Sequence, residues 1–124
     1  MSDFSFQRHN TAPGISCVSL SGKVKSDNID QFDTLFQELL KNENKKIVLD
    51  FSQTEFINSK AIGIILKTLG SLRKCGGDMV VVNVSPQILQ VFQLLTLDKI
   101  MKFFPTMSDA ISGFQKPVIP PATL

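Results

Sequence analysis

The sequence predicts one α/β domain: a mixed β-sheet with an antiparallel edge strand, a run of parallel strands and about four flanking helices. Three observations predict this class. Two short strand segments near the N-terminus are separated by a Pro-Gly turn, which is typical of an antiparallel hairpin. Apolar runs then alternate with segments whose apolar residues recur every three or four positions. Strands joined through helices must run parallel, so the expected order is β-β-α-β-α-β-α-β-α.

The hairpin occupies the start of the chain. Residues 4–9 alternate apolar and polar side chains, which predicts a short edge strand. Pro13 and Gly14 supply the chemistry of a turn. In residues 15–22 apolar side chains alternate with serines until Gly22, so this segment is the second, antiparallel strand.

The first helix is expected over residues 26–42, with Ser26, Asp27 or Asn28 able to cap it. Its apolar face is formed by Ile29, Phe32, Leu35, Phe36, Leu39 and Leu40. Residues 46–51 follow as a continuous apolar run, which is typical of a strand buried on both faces.

The second helix is expected to follow a short polar link over residues 52–58. It begins at Ser59 and runs to about Cys75, where Gly76 and Gly77 stop it. The residues of its buried stripe are Ile62, Ile65, Leu66, Leu69 and Leu72. In a sheet of this kind, sites gather at the carboxyl ends of strands beside helix N-termini, and Ser59 lies at such a place.

The last third of the chain completes the alternation. Residues 79–84 predict a strand, Ser85 caps a third helix and Pro86 takes the first helical position, which proline favours. Residues 99–104 predict a last, short strand, and a capping-box pattern at 106–109 opens a fourth helix. We expect one domain over residues 1–115, followed by a flexible, proline-containing tail at 116–124.

Composition excludes several classes of protein. The formal net charge is +2 and the basic residues do not cluster, which argues against a nucleic-acid or anionic-membrane partner. The chain has no apolar window long enough to span or insert into a membrane and no signal-peptide core, so a cytoplasmic protein is expected. Cys17 is expected to be buried and Cys75 partly exposed, with a disulfide disfavoured and no metal-binding spacing present.

Ser59 admits two interpretations from geometry alone. Either Ser59 or Asn58 can be a simple N-cap, which accepts a hydrogen bond from a backbone N–H of the first turn. Alternatively, Ser59 is a site of phosphorylation, because a helix N-terminus offers unpaired N–H donors and partial positive charge to a phosphate. Lys60 adds a further cation beside it.

The outward face of this helix is a surface beside Ser59 whose charge such a phosphate would change. The side chains expected to point away from the core are Lys60, Ile64, Lys67 and Ser71. Gly63 and Gly70 leave the neighbouring side flat. We expect a low shelf with two lysines and one exposed isoleucine, against which another protein can lie.

The chain then shows a resemblance to a known family. Residues 47–100, IVLDFSQTEFINSKAIGIILKTLGSLRKCGGDMVVVNVSPQILQVFQLLTLDKI, resemble the STAS domain, named for sulphate transporters and anti-sigma factor antagonists. The resemblance covers about residues 4–115 and implies a STAS-like mixed sheet. Single-domain members act as anti-sigma factor antagonists in bacterial partner switching.

The resemblance implies a regulatory, non-catalytic function without a cofactor or metal. Ser59 stands at the position that an anti-sigma factor with serine kinase activity phosphorylates in the family. The unmodified protein binds that kinase, the phosphorylated protein releases it, and a phosphatase resets the switch. We expect a monomer or a weak dimer.

This sequence departs from the family pattern near Ser59. The family's DSSGLG is NSKAIG here, so Asn58 replaces an aspartate and Lys60 a small polar residue. Upstream, the family's GELD is GKVK, which places Lys23 and Lys25 in a region that often borders the partner. The residues expected to contact a partner are therefore Lys23, Lys25, Asn58, Ser59, Lys60, Gly63, Ile64 and Lys67.

Two other functions stay open at this point. The altered motif favours an unphosphorylated accessory subunit of a larger complex, such as a membrane transport ATPase. An enzyme is disfavoured, because no nucleotide-binding loop, metal spacing or nucleophile–base pair is present. His9 is expected on the surface of an edge strand. Asp50 follows an apolar strand, where α/β enzymes keep catalytic acids, but the resemblance implies that it is a structural or loop-anchoring residue instead.

Overall fold

The computed structural model describes residues 4–115, and the predicted tail lies outside these residues. The observed order of elements is the predicted one. The strands are β1 (Phe4–Ala12), β2 (Ile15–Val24), β3 (Lys46–Ile57), β4 (Asp78–Val82) and β5 (Phe103–Phe104). The helices are α1 (Ile29–Lys41), α2 (Ser59–Lys74), α3 (Pro86–Leu94) and α4 (Met107–Gln115), with a short 3₁₀ helix at Leu97–Lys99.

The five strands form a single mixed sheet in the order β1-β2-β3-β4-β5. Strand β1 pairs antiparallel with β2, and every later pair is parallel. The prediction of an antiparallel edge strand followed by a parallel run is confirmed. Gly14, with φ of 78°, makes the turn of the hairpin in a conformation that other residues rarely adopt.

Strand β3 is longer than predicted, and the expectation of a polar link over residues 52–58 is wrong. Thr54 and Ile57 are buried, while Glu55 and Phe56 between them are exposed. Thr54 replaces an apolar contact with a hydrogen bond, its hydroxyl donating to the carbonyl oxygen of Leu20 at 2.7 Å. Strand β2 is likewise longer than predicted and continues past Gly22 to pair with this extension across two register shifts.

The final strand is shorter than predicted. Only Phe103 and Phe104 pair with β4, whereas residues 97–99 form the 3₁₀ helix. Leu97 and Met101 are buried, so this segment packs as a turn of helix against the core instead of extending along the sheet edge. Strand β4 also ends two residues early, at Val82.

The sheet separates two apolar clusters. The larger one lies between the sheet and helices α1, α2 and α3, and it includes Phe32, Phe36, Leu49, Phe51, Ile65, Leu69 and Phe92. The smaller one lies beneath α4 and comprises Ile15, Val48, Val80, Val82 and Ala110. Because side chains alternate across a strand, the continuous apolar runs of β3 and β4 supply both clusters, as was predicted for β3.

Two helix starts follow the predicted chemistry. The Ser85 hydroxyl accepts from the backbone N–H of Ile88 at 3.3 Å, and Pro86 opens α3. At α4, the hydroxyl of Thr106 accepts from the backbone N–H of Asp109 at 3.2 Å. None of the helices in the described part of the chain is long and apolar enough to cross a membrane.

Candidate functional site at the start of helix α2

The start of α2 follows directly from the end of β3. Asn58 has extended dihedrals, φ −87° and ψ 172°, and is the N-cap. Its side-chain oxygen accepts from the backbone N–H of Ala61 at 2.9 Å, and its carbonyl oxygen accepts from that of Ile62 at 3.2 Å. Asn58 therefore satisfies donors of the first turn that the helix itself cannot.

Ser59 is the first helical residue and is exposed. Between the two candidate caps left open by the sequence, the structure assigns the role to Asn58. The hydroxyl of Ser59 is consequently not needed to hold the helix start, and it lies where a large molecule can reach it. No acidic residue occupies the first turn of α2.

The end of β2 lies against this helix start. The backbone N–H of Asn58 donates to the carbonyl oxygen of Val24 at 3.1 Å. Val24 is flanked by Lys23 and Lys25, which are both exposed. The structure thus brings Lys23 and Lys25 to the neighbourhood of Ser59, although more than 30 positions separate them in the sequence.

Asn28 fastens the segment that carries these lysines, a function that the sequence did not reveal. Its side-chain oxygen accepts from the backbone N–H of Lys25 at 2.8 Å, and its amide donates to the carbonyl oxygen of Lys23 at 2.9 Å. Asn28 occupies the N-cap position of α1 but makes no side-chain cap hydrogen bond. The role of the Asn28 side-chain amide becomes clear only when the chain reversal between β2 and α1 is known.

The outward face of α2 matches the predicted shelf at Lys60 and Lys67 but not at Ile64 and Ser71. Lys60 and Lys67 are exposed, and neither forms an ion pair within the described residues. Ile64, expected to be exposed, is half-buried and packs against the main core. The apolar stripe of α2 is wider than the wheel suggested, so the exposed surface beside Ser59 is more polar than expected.

The two glycines of α2 keep this surface low. Gly63 and Gly70 are exposed, and a Cβ added at either would meet no atom within 4 Å beyond the helix's own backbone. Neither glycine is therefore required for packing inside the domain. Ser71, the last residue of the predicted outward set, is half-buried.

Asp50 lies on the other face of the sheet and anchors a loop. Its carboxylate accepts from the backbone N–H of Ser52 at 2.9 Å, from the amide of Asn83 at 3.2 Å and from the hydroxyl of Ser19 at 3.3 Å. These contacts join β2, β3 and the residue that follows β4, and Asn83 adopts a φ of 57° there. The geometry fits the structural or loop-anchoring role that the resemblance implies for Asp50.

The remaining candidate groups are structural or solvent-exposed. Cys17 is completely buried, and burial raises the pKa of its thiol from 9.0 to about 11, with a smaller upward contribution from Asp50 and an opposing hydrogen bond with Ser19. Its thiol therefore stays protonated near neutral pH and is a poor nucleophile. Cys75 is exposed and both cysteines are free, as predicted, and His9 is exposed. Among the described residues, no cluster of His, Cys, Asp and Glu could hold a metal ion.

Comparison with known proteins decides the family. The model of the STAS domain matches residues 8–110 of the chain. This chain belongs to the STAS domain family. A Thermotoga maritima protein provisionally named an anti-sigma factor antagonist is 34% identical over 82 residues, which cover 66% of this chain and 73% of that protein. The anti-sigma F factor antagonist of Paenibacillus polymyxa is 26% identical over 103 residues, which cover 82% of this chain and 88% of that one.

Solved structures agree with this assignment. An anti-sigma factor antagonist from Mycobacterium paratuberculosis superposes with a TM-score of 0.82 at 25% identity, covering 91% of this chain and 95% of that one. The anti-sigma factor antagonist SpoIIAA in its unphosphorylated form gives a TM-score of 0.76 at 22% identity, covering 93% of this STAS chain and all of that one. The predicted STAS-like fold is confirmed.

Proposed function

We propose that this STAS protein is an anti-sigma factor antagonist whose binding to an anti-sigma factor with serine kinase activity is switched by phosphorylation of Ser59. It is a regulatory protein and not an enzyme. The observation that carries the proposal is that Asn58 performs the capping of α2, which leaves the Ser59 hydroxyl exposed and without a structural task.

The position of Ser59 favours a phosphate once it is attached. The first backbone N–H groups of α2 have no carbonyl acceptor within the helix, and the helix dipole places partial positive charge beside them. Lys60 adds a full charge, and no acidic residue in the first turn opposes a dianion. The modification can therefore be accommodated without unfolding the helix start.

The same phosphate changes what a partner meets. The four lysines of the proposed surface, Lys23, Lys25, Lys60 and Lys67, fit a partner with an acidic face. A phosphoryl group carries roughly two negative charges, which offset about half of that positive charge and place an anion against the partner's acidic face. Like-charge contact and the cost of desolvating the phosphate both favour release.

The transfer itself needs only the hydroxyl from this chain. The Oγ of Ser59 forms a bond to the γ-phosphorus of ATP held by the kinase, the bond to the bridging oxygen breaks, and ADP leaves. The proton of the hydroxyl passes to a base of the kinase or to water. Related proteins support this chemistry on the same fold, because SpoIIAA is known in both an unphosphorylated and a phosphorylated form.

The test begins with the chain isolated from its own cells. Phosphopeptide mass spectrometry should find phosphate on Ser59, and the kinase recovered with the chain should transfer phosphate to the purified protein with Mg-ATP. Phosphorylation or Ser59→Asp should weaken partner binding by about tenfold or more. Ser59→Ala should bind the kinase whether or not ATP is present.

The matched control is Ser108→Asp, which places a carboxylate in the first turn of α4 on the opposite side of the sheet. It should leave partner affinity unchanged. The switch is refuted when both Ser59 variants bind the partner as tightly as the natural chain does. Recovery of transport ATPase subunits together with an unphosphorylated Ser59 would instead support the accessory-subunit function.

A further inference from the structure

A small hollow lies between helix α4 and the amino ends of strands β3, β4 and β5, at the opposite edge of the sheet from Ser59. Its volume is about 160 Å³. The apolar residues that line it are Val80 and Ala110, which are buried in the smaller core cluster, and Phe104 and Phe114, which pack against that cluster. An apolar cavity of about 150 Å³ in a protein is large enough to bind benzene. The hollow therefore has room for one aromatic ring.

Close packing around the hollow fixes its shape. Gly113 brings α4 so near to the sheet that an added Cβ would lie 2.9 Å from the ring of Phe104. Gly77 lines another side, where an added Cβ would overlap the carbonyl oxygen of Lys45. Sites for small molecules are mostly apolar and are largely formed before the ligand binds. The hollow meets both conditions.

Three charged residues line the hollow at the amino ends of neighbouring strands. Lys46 is the first residue of β3, and it is paired in the sheet with Asp78, the first residue of β4. Lys102 directly precedes β5, and its carbonyl oxygen accepts from the backbone N–H of Val81 at 3.0 Å. The carboxylate of Asp78 accepts from the guanidinium of Arg73 at 3.1 Å, which balances its charge.

The two lysines give the hollow a positive charge that no other side chain balances. Lys46 and Lys102 are exposed, and neither has an ion-pair partner within residues 4–115. Helix α4 ends beside the hollow, and the carbonyl groups of a last helical turn carry about half of one negative charge. Because the lysines carry two full charges, the hollow keeps a net attraction for an anion.

We propose that this hollow binds a small aromatic carboxylate, with the ring against the apolar residues and the carboxylate beside Lys46 and Lys102. Burial of the ring removes apolar surface from water. The charged hydrogen bonds between carboxylate and ammonium groups fix the orientation of the ligand. The volume of the hollow limits the apolar part to about one ring. The proposal does not depend on the role of Ser59.

The experiment is an NMR titration of the isotope-labelled full chain with phenylacetate. A ligand of about ten non-hydrogen atoms in so small a site should bind with a dissociation constant on the order of 1 mM, so a titration to about 20 mM saturates the site. The amide signals of three glycines that line the hollow, Gly76, Gly77 and Gly113, should shift with occupancy. The amide signal of Gly63, near the start of α2, should stay in place.

Two further probes separate the charge from the ring. Acetate has the carboxylate without the ring, and benzyl alcohol has the ring without the charge. Each should bind about tenfold or more weakly than phenylacetate, because each lacks one of the two contacts that the hollow offers.

Charge reversal tests the two lysines. Lys46→Glu and Lys102→Glu should each weaken phenylacetate binding by about fivefold or more, because a repelling charge replaces an attracting one. The matched control is Lys41→Glu, which makes the same change of charge at the end of α1, on the opposite face of the sheet, and should leave the affinity unchanged. All three positions are exposed, and the amide spectrum of each variant reports whether it is folded.

Each of the following results would overturn the proposal. The glycine signals stay in place at about 20 mM phenylacetate, or acetate or benzyl alcohol binds as tightly as phenylacetate does. The two charge-reversal variants bind phenylacetate as tightly as the natural chain does. Nuclear Overhauser contacts join residues 116–124 to Phe104 or Phe114 in the ligand-free chain, which would assign the hollow to the chain's own C-terminal segment.

Discussion

Helices α2 and α3 start at the carboxyl ends of neighbouring parallel strands, and each has a serine at its start. In α3 the serine is Ser85, and its hydroxyl accepts from the backbone N–H of Ile88. In α2 the serine comes one position later, because Asn58 is the cap and Ser59 is the first helical residue. Because of this one-residue offset, Ser85 caps its helix, whereas the hydroxyl of Ser59 remains available to other molecules.

The two helices also differ on their outward faces. Helix α2 presents lysines and flat glycine positions, whereas α3 presents glutamines and apolar side chains without any charge. The first surface is the one at which we propose that a partner of opposite charge docks and is released when Ser59 is phosphorylated. The comparison therefore separates a basic face with two glycines on α2 from an uncharged face on α3.

The largest expected change in the free energy of unfolding comes from the residues that follow the end of α2. Helix α2 ends at Lys74, and Cys75 is its C-cap. Gly76 follows with a φ of 80°, and then comes Gly77, whose added Cβ would overlap the carbonyl oxygen of Lys45 and lie 2.6 Å from its Cβ. Gly77→Ala should lower the free energy of unfolding by about 3 kcal/mol, because the backbone of Lys45 cannot shift to make room without straining the chain. Urea denaturation followed by circular dichroism measures this.

Gly76→Ala is the matched comparison for that variant. No atom lies within 4 Å of its added Cβ, so the cost comes only from the left-handed backbone and should be about 1–2 kcal/mol. Equal losses for the two variants would contradict the role of the Lys45 contact. Helix α3 reaches a similar conformation with Thr96, φ 57°, and so does not depend on glycine at its end.

The next effect tests the assignment of the caps. Asn58→Ala and Ser85→Ala should each lower the free energy of unfolding by about 1 kcal/mol, because each removes the side chain that accepts a first-turn N–H. Ser59→Ala should change stability by less than about 0.5 kcal/mol, as expected of an exposed residue without a structural contact. Thermal or urea unfolding of the three variants in one buffer measures the difference.

A different ranking would change the functional argument. If Ser59→Ala proved as destabilising as Asn58→Ala, the hydroxyl of Ser59 would be part of the helix start. Phosphorylation would then compete with folding of α2 instead of leaving it intact. The stability measurement therefore also constrains the proposed switch, without requiring the partner.

Much of this structure was predictable because periodicity reports burial well. The alternating order of strands and helices, the start of α2 at Ser59 and the cap at Ser85 all follow from apolar spacing and capping chemistry. The extension of β3 was not predictable, because Thr54 is buried through a hydrogen bond and not through an apolar side chain. The choice between Asn58 and Ser59 as cap also required the structure, since both residue types cap helices well.

In the candidate site, too, the features that were not predicted depend on contacts between elements that are distant in the sequence. A helical wheel places Ile64 outside because it considers one helix alone, whereas the neighbouring elements of the main core half-bury it. The proximity of Lys25 to the start of α2 depends on β2 and β3 pairing through two register shifts. Register shifts depend on hydrogen bonding between strands, which a single sequence pattern does not report.

The smallest expected effect has the opposite sign. Gly70→Ala should raise the free energy of unfolding by about 0.5–1 kcal/mol, because alanine loses less backbone entropy in a helix and its Cβ meets no other element. Urea unfolding measures the gain, and the same substitution at Gly63 is its matched companion. Any loss of stability in Gly70→Ala would show that the glycine has a packing role. A gain at Gly63 accompanied by weaker partner binding would show instead that the flat surface serves docking, since a methyl group there holds the partner away from α2 at no cost to the fold.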